Sequence, residues 1–93
     1  MDIDVEWDPE KAEWNLRKHG VSFDEARSVL EDPLSFTVFD EDHSEAEDRE
    51  LLLGRSVADR LLIVSITIRG ERIRIISARE MTPREKRRYE RNL

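Results

Sequence analysis

The sequence predicts a single α+β domain in which helices cover one face of an antiparallel sheet. Short runs of apolar residues are separated by Gly, Pro and Asp, which is typical of strands joined by turns. Helix-start motifs interrupt these runs twice near the N-terminus and once near the C-terminus. The predicted order is β-α-α-β-β-β-β-α, and a chain of 93 residues has room for one domain, residues 1–93.

The first strand and helix are predicted from alternation and from caps. Apolar residues alternate with acidic ones over residues 3–7, as in a strand with one buried face. Asp8 then provides an N-cap and Pro9 a first helical residue, while Gly20 suits a left-handed C-cap. The first helix is therefore expected over residues 9–18.

The second helix begins at a capping box. Ser22 is expected to accept a hydrogen bond from the backbone N–H of Glu25, whose carboxylate reaches back to the N–H of Ser22. Apolar residues at helical spacing form one stripe: Phe23, Ala26, Val29 and Leu30. Asp32 and Pro33 end the helix, because the residue before a proline avoids the helical conformation.

Four strands and a last helix complete the chain. Apolar runs predict strands over residues 34–39, 50–54, 61–69 and 72–79. The acidic stretch 40–48 is expected to form a solvated loop, and Gly70-Glu71 fits the turn of a type II′ hairpin. A second capping box with a proline at the first helical position, residues 82–85, starts a helix that extends to residue 92.

The register of that hairpin decides which arginines share a face. With a two-residue turn, one face carries Ser65, Thr67, Arg69, Arg72 and Arg74. Arg79 then falls on the core face near the end of the sheet. With a three-residue loop, the common face carries Ser65, Thr67, Arg69, Ser77 and Arg79. The sequence does not fix the length of the loop and leaves both registers open. The choice matters because a shift by one residue moves every side chain to the other face.

The charge is divided between the two halves of the chain. Residues 1–53 hold 5 basic and 17 acidic residues, a net charge of −12, whereas residues 54–93 hold 11 basic and 5 acidic residues, a net charge of +6. Ten of the latter basic residues are Arg, whose planar guanidinium suits phosphate. The acidic whole-chain charge of −6 therefore hides a basic half that is typical of nucleic-acid binding.

Other classes of protein are disfavoured by what the sequence lacks. It has no cysteine for disulfides or thiolate metal sites, no apolar run near the ~20 residues of a membrane span, and no signal-peptide pattern. The two histidines, His19 and His43, are well separated and form no recognisable metal site. We expect a cytoplasmic protein without a cofactor, a metal or a membrane partner.

The positions of Arg79 and His19 in the predicted elements make these two residues candidates for chemistry. Arg79 ends an apolar run just before the last helix, where a buried guanidinium needs a partner. That partner is either a phosphate or a neighbouring acid such as Glu85. His19 closes the first helix, where it is either a proton-transfer group or only a partner of the helix dipole.

Several motifs occur together along the chain. The N-terminal ones are Trp7-Asp8, Lys11, Asn15, Lys18-His19-Gly20-Val21, Phe23, Ala26 and Asp32-Pro33. The later ones are His43, Ser44, Glu47, Arg49, the segment from Arg74 to Arg79, Glu85, Arg88 and Tyr89. A Lys-His-Gly-Val segment followed at this separation by Ile-Ser-Ala-Arg is a specific combination. On these residues, which span essentially the whole chain, the sequence resembles the BrnT family, the toxins of type II toxin–antitoxin pairs.

The resemblance implies a RelE-like ribonuclease fold and endoribonucleolytic cleavage of RNA that arrests translation. It also implies a partner, a small BrnA-like antitoxin with a ribbon-helix-helix part. The toxin would reach operator DNA only through that antitoxin. The assembly that the family suggests is a heterotetramer built on an antitoxin dimer.

For RNA cleavage of this kind we expect particular residues to have particular roles. A metal-independent reaction needs a base for the 2′-hydroxyl, a cation for the phosphate and an acid for the leaving oxygen. We expect Arg69 and Arg79 to clamp the phosphate, and His19 or Lys18 to act as base or acid. RNA binding is assigned to Arg72, Arg74, Arg88 and Tyr89, with Arg72 and Arg74 steering RNA electrostatically and Tyr89 stacking a base or orienting a phosphate.

Two other functions are open from the residues alone. The protein is a non-catalytic module that binds the antitoxin and acts as a co-repressor, or it is an inactive homologue that keeps the toxin fold. The acidity of residues 1–53 favours the inactive homologue, because it weakens non-specific binding to RNA.

Overall fold

Five strands and three helices make up the fold of the described residues. The strands are β1 (Asp4–Glu6), β2 (Phe36–Phe39), β3 (Glu50–Arg55), β4 (Leu61–Arg69) and β5 (Arg72–Glu80). The helices are α1 (Pro9–His19), α2 (Phe23–Ser28) and α3 (Pro83–Arg91), with short 3₁₀ turns at Val29–Glu31 and Glu41–His43. The structure, a computed structural model, describes residues 3–43 and 48–92, and of His43 only the backbone.

The α+β class and the order of elements are confirmed, with one difference in the sheet. The spatial order is β1-β5-β4-β3-β2, and the last four of these strands pair antiparallel. β1 instead lies parallel to β5, with Asp4 opposite Arg72. Short turns predict antiparallel pairing of consecutive strands. Most of the chain separates β1 from β5, so no turn dictates their relative direction.

Helices cover both faces of the sheet, so the expectation that they lie on one face is wrong. α1 and α2 cover one face, whose buried β4 side chains are Leu62, Val64 and Ile66. α3 packs on the other face, where the buried cluster is Leu61, Ile63, Met81 and Tyr89. The physical reason is the continuous apolar run at the start of β4, which is buried on both sides as in a central strand.

The predicted caps of α1 and α3 are confirmed. The Asp8 carboxylate accepts a hydrogen bond of 2.9 Å from the N–H of Glu10, and Gly20 ends α1 with a left-handed φ of 69°. At the start of α3, Thr82 accepts from the N–H of Glu85 at 3.2 Å. The Glu85 carboxylate accepts from the N–H of Thr82 at 2.9 Å, which completes the capping box.

The capping box of α2 is only half formed. Ser22 accepts from the N–H of Glu25 at 3.0 Å, as predicted, but the Glu25 carboxylate does not reach back. It accepts from Ser56 at 2.6 Å and from Nε of Arg60 at 2.9 Å. The hydrogen bond from Arg60 lowers the pKa of Glu25. Arg60 also donates to the carbonyl of Gly20 at 3.0 Å, so this ion pair joins the β3–β4 turn to α2 and to the end of α1.

A buried asparagine joins α1 to the edge of β5. Only 1% of Asn15 is exposed. Its amide nitrogen donates to the carbonyl of Ala78 at 2.8 Å and to that of Val21 at 2.9 Å. Its amide oxygen accepts from the N–H of Ala78 at 3.1 Å. Because β1 pairs with β5 only as far as Arg74, Asn15 takes the place of a neighbouring strand at Ala78.

The β4–β5 hairpin has the two-residue turn that one register predicts. Arg69 lies opposite Arg72, and Thr67 lies opposite Arg74. Gly70 adopts a φ of +62°, which a type II′ turn requires at its first position. Near the turn, the observed face therefore matches the two-residue alternative.

A β-bulge changes the register farther from the turn. Ile66 pairs with Ile75, whereas Ser65 pairs with Ser77, so Ile76 is an extra residue in β5. Beyond this point Arg79 pairs with Ile63, whose side chain lies on the α3 face. Arg79 therefore shares a face with Ser65 and Ser77, and its expected position on the core face is wrong. A single inserted residue inverts a strand in this way.

The strand β2 forms an exposed edge of the sheet. Phe36 and Val38 share a face, as predicted, and lie opposite Leu53 and Leu51 of β3. All residues of β2 are nevertheless exposed. Of the predicted acidic loop, residues 44–47 lie outside the described part of the chain. None of the helices in the described part is long and apolar enough to cross a membrane.

Replacement of Asn15 by alanine is expected to lower the free energy of unfolding by about 2–4 kcal/mol. The change leaves the backbone groups of Ala78 and the carbonyl of Val21 buried without their partner. Urea denaturation measures the loss. The matched control is Asn92→Ala, which removes an exposed hydrogen bond to Arg88 and should cost less than about 1 kcal/mol. Equal losses in the two variants would contradict the role given to Asn15.

Candidate functional site

One cleft on the α3 face of the sheet collects ionisable groups from distant parts of the chain. Its volume is about 500 Å³. The side chains that form its floor are Leu51, Ile63, Ser65 and Ser77. Its ionisable residues are His19, Asp40, Asp42, Arg49 and Arg79. The cleft therefore combines an imidazole, two carboxylates and two guanidinium groups above a floor that carries two hydroxyls.

His19 reaches this cleft because α1 crosses the open edge of β5. Asn15 fixes α1 at that edge, and His19 lies one turn later at the end of the helix. The chain then turns at Gly20, whose carbonyl is held by Arg60. The ring of Trp14 lies edge-on to the imidazole, with 6.5 Å between the ring centroids. The position of His19 is thus set by backbone contacts on both sides of it.

Arg79 has the acidic partner that the sequence analysis names as one alternative. Its two terminal nitrogens donate to the two carboxylate oxygens of Glu85 at 2.7 and 2.9 Å, in a bidentate pair. The hydrogen bond from Arg79 lowers the pKa of Glu85 to about 2, and the same bond raises the pKa of Arg79. The side chain of Arg79 nevertheless remains 42% exposed and lines the cleft.

The other two residues assigned to chemistry do not line the cleft. Lys18 is exposed, and its Nζ lies 4.6 Å from the ring centroid of Trp14. Arg69 lies at the tip of the hairpin, opposite Arg72. Of the four predicted catalytic residues, the structure therefore brings His19 and Arg79 together and leaves Lys18 and Arg69 outside.

The four residues assigned to RNA binding are spread over the surface and the core. Arg72 and Arg74 form ion pairs with Glu6 of β1, at 3.5 and 2.6 Å. Arg88 is exposed on α3. Tyr89 is only 4% exposed, and its ring stacks on Phe36 with centroids 5.8 Å apart.

Tyr89 anchors α3 to the sheet. Its hydroxyl donates to the carbonyl of Leu34 at 3.5 Å, and burial raises its pKa. A ring that already stacks on Phe36 has one face occupied. The structural role of Tyr89 is thus clear, whereas base stacking by this residue stays a prediction.

Five residues of the cleft were missed by sequence reasoning. They are Asp40, Asp42, Arg49, Ser65 and Ser77. Arg49 and Ser77 belong to the motifs on which the resemblance to the BrnT family rests, and this was the signal that could have identified them as site residues. The two acids belong to a stretch that composition makes look like a solvated loop. Asp40 is instead only 9% exposed, and its N–H donates to the carbonyl of Arg49 at 2.9 Å.

The residues of the cleft form no metal site in the described part of the chain. Among residues 3–43 and 48–92, no group of three His, Cys, Asp or Glu residues is placed to hold a metal ion. The chemistry that these residues offer is proton transfer by an imidazole or a carboxylate and charge stabilisation by guanidinium groups.

Comparisons with known proteins show what the fold resembles and to which family the chain belongs. The fold is similar to that of a ribonuclease toxin, BrnT of Brucella abortus, in its crystal structure. That similarity has a TM-score of 0.67 at 21% sequence identity and covers 87% of this chain and 99% of the other. A sequence model of the family described as "Ribonuclease toxin, BrnT, of type II toxin-antitoxin system" matches residues 7–85. The chain therefore belongs to the BrnT family.

Membership of this family has two direct consequences. A toxin of a type II toxin–antitoxin system implies an antitoxin partner, and a ribonuclease toxin implies an RNA substrate. No curated protein matches the sequence at a significant level.

The Arg79–Glu85 pair predicts a dependence of stability on acid pH. The pKa of Glu85 is about 2 in the folded chain, below its ordinary value of 4.5. The pair therefore contributes its full stability above about pH 4.5, and this contribution is lost as the pH falls toward 2. Because solvent reaches both side chains, we expect a loss of about 0.5–1 kcal/mol.

Urea denaturation at pH 6 and pH 3 of the parent and of Glu85→Gln measures this contribution. The variant should be less stable than the parent at pH 6, and the gap should narrow at pH 3. Glu90→Gln, an exposed acid on the same helix, is the matched control. A gap for Glu85→Gln that stays constant between the two pH values would show that the carboxylate charge does not stabilise the fold.

Proposed function

We propose that the protein is a metal-independent endoribonuclease toxin that cleaves RNA and thereby inhibits translation. The observation that carries this proposal is the meeting of His19 and Arg79 in one cleft, in a chain that belongs to a family of ribonuclease toxins. The two residues are far apart in sequence, and each reaches the cleft through a specific structural device. His19 depends on the crossing of α1 over the edge of β5, and Arg79 depends on the bulge in β5.

The reaction would use the 2′-hydroxyl next to the scissile phosphate as the nucleophile. Its oxygen forms a bond to phosphorus while its proton passes to a base, and the bond to the 5′-oxygen breaks as that oxygen gains a proton. His19 would carry one of these two proton transfers, since an imidazole both accepts and donates protons near neutral pH. Asp40 and Asp42 are the other proton-carrying groups that line the cleft within the described residues.

Arg79 would stabilise the charge that develops on the phosphate. Its pairing with Glu85 fixes the plane of the guanidinium before RNA arrives, because a bidentate pair restricts the rotation of both side chains. The same pair anchors the guanidinium to the first turn of α3. Glu85 would thus position Arg79, although its carboxylate also neutralises part of the positive charge of the guanidinium.

The antitoxin partner would be BrnA-like, with a ribbon-helix-helix part that binds operator DNA for the complex. The edge strand β2 offers a surface of the kind that a protein partner covers. Among the described strands β2 pairs only with β3, and its Phe36, Val38 and Phe39 are exposed. The exposed acid that follows β2, Glu41, disfavours RNA there and favours a basic protein segment. A heterotetramer with an antitoxin dimer is the expected assembly.

The alternative is a co-repressor that binds the antitoxin without cutting RNA. The observation in its favour is the Arg79–Glu85 pair, since a guanidinium that is neutralised by a carboxylate attracts phosphate less strongly. Cleavage assays with purified protein in EDTA separate the two functions, because a metal-independent enzyme remains active there.

Arg79→Ala is expected to reduce the rate of RNA cleavage by about 10²–10³-fold, as the loss of a charge-stabilising donor does. The comparison variant is Glu85→Gln, which removes the charge of the ion pair, keeps a side-chain oxygen for the capping box of α3 and leaves the guanidinium in place. If Arg79 acts on the phosphate, the two variants should lose similar stability but Arg79→Ala should lose far more activity. Gel-based cleavage assays with EDTA and thermal melts provide the two readouts.

The matched control is Arg55→Ala, which removes an exposed arginine from a surface pair with Asp59. This variant should cut RNA at the parent rate. His19→Ala should reduce cleavage by about 10²–10⁴-fold, the usual range for the loss of a general acid or base. Parent activity in Arg79→Ala would show that Arg79 does not act on the phosphate. No cleavage by the parent protein together with tight antitoxin binding would overturn the proposal in favour of the co-repressor.

Val38→Asp is expected to weaken binding of the antitoxin by about tenfold or more, because it places a charge in the apolar edge strand. Isothermal titration calorimetry with the cognate antitoxin measures the change. Val57→Asp is the matched control, since Val57 is 83% exposed and lies in the β3–β4 turn. Equal affinities of the two variants would place the antitoxin elsewhere on the toxin.

A further inference from the structure

Two serine hydroxyls face each other on the floor of the cleft. Ser65 of β4 and Ser77 of β5 are direct cross-strand partners, and both line the cleft. Ser65 is 8% exposed, so it lies at the bottom rather than on the rim. The Cβ atoms of such a pair are about 5 Å apart, which lets both hydroxyls reach a single ligand group.

This pair exists only because of the bulge at Ile76. In an unbroken register Ser65 would face Ile76, and Ser77 would point to the α1 and α2 side. The slip between Ser65 and Ile66 brings Ser77 and Arg79 to the same face as Ser65. Bulges often lie beside functional sites, where they redirect a side chain. One irregularity thus supplies both a hydroxyl and a guanidinium to the cleft.

The surroundings of the pair select the chemical class of the ligand. Arg79 follows Ser77 by two residues on the same face, and Arg49 also lines the cleft. Hydroxyl donors beside guanidinium groups are suited to the oxygens of a phosphodiester. Asp40 bonds to Arg49 where β2 meets β3, whereas Ser77 and Arg79 lie in β5, two strands away. Because Asp40 repels a phosphate, the phosphate belongs beside Ser77 and Arg79.

We propose that Ser65 and Ser77 form a phosphodiester-binding floor that holds an RNA phosphate against Arg79. The hydroxyls donate hydrogen bonds to the non-bridging oxygens, which adds direction to the attraction that the arginines provide. This inference rests on the proposed ribonuclease function, and it assigns to two uncharged residues the orientation of the phosphate. They are binding residues, distinct from the groups that move protons.

The test uses the full chain and two RNA probes. The first is a cleavable single-stranded RNA, and the second is the same sequence with 2′-O-methyl groups, which cannot be cut because it lacks the nucleophile. Ser65→Ala and Ser77→Ala should each weaken binding of the 2′-O-methyl RNA by about tenfold, the effect of losing one hydrogen bond to a charged group. The KM for cleavable RNA should rise in parallel.

Conservative variants and a control separate binding from folding. Ser77→Thr keeps a hydroxyl and should retain most of the affinity that Ser77→Ala loses. Thr37→Ala removes an exposed hydroxyl from β2, on the opposite face of the sheet, and should bind as the parent does. Thermal melts identify any variant that fails to fold. If Ser77→Ala fails to fold, the affinity of Ser77→Thr for RNA decides whether the hydroxyl binds the phosphate.

The outcomes distinguish this inference from the proposed function. NMR titration of the parent with 2′-O-methyl RNA should shift the amide signals of Ser65 and Ser77. If those shifts occur but the parent cuts no RNA, the ribonuclease proposal fails and the phosphate floor stands. If the parent cuts RNA and the alanine variants match it in affinity and KM, or if no shifts occur at either serine, the floor is wrong.

Discussion

The side-chain amide of Asn15 is the contact on which the cleft depends. It pairs with both backbone groups of Ala78 and with the carbonyl of Val21, so it joins α1, the segment after it and β5 in one place. A neighbouring strand normally satisfies such edge groups. Here β1 stops short, and a helix crosses the remaining edge instead. Because His19 lies one turn after Asn15, fixing α1 at this edge also places the imidazole in the cleft on the α3 face.

The extra residue in β5 is the second constraint, and it serves the core as well as the cleft. Ile75 and Ala78 are three positions apart, yet both are buried against α1 and α2. An unbroken strand cannot place two such residues on one face, because its side chains alternate. The slip at Ile76 permits it and turns Arg79 away from that core. A guanidinium left inside would cost several kcal/mol without a partner.

The contact made by Asn15 and the bulge in β5 are the two features of the site that the sequence does not predict. Helix limits were predictable because caps are local, as at Asp8 and Gly20. His19 and Arg79 were identified by residue type and motif. The bulge was not, since an apolar run around Ile76 looks the same in either register. The role of Asn15 was equally hidden, because its partner Ala78 is 63 residues away in the chain.

The division of charge between the two halves of the chain is partly neutralised inside the fold. Glu25 pairs with Arg60, and Glu6 pairs with Arg72 and Arg74, so acids of the first half neutralise arginines of the second. The basic surface that remains for RNA is therefore smaller than composition suggests. It includes the exposed Arg69 at the hairpin tip, the exposed Arg88 on α3 and the partly exposed Arg79 in the cleft. An enzyme with so limited a footprint would select its substrate by the geometry of one site more than by general attraction to nucleic acid.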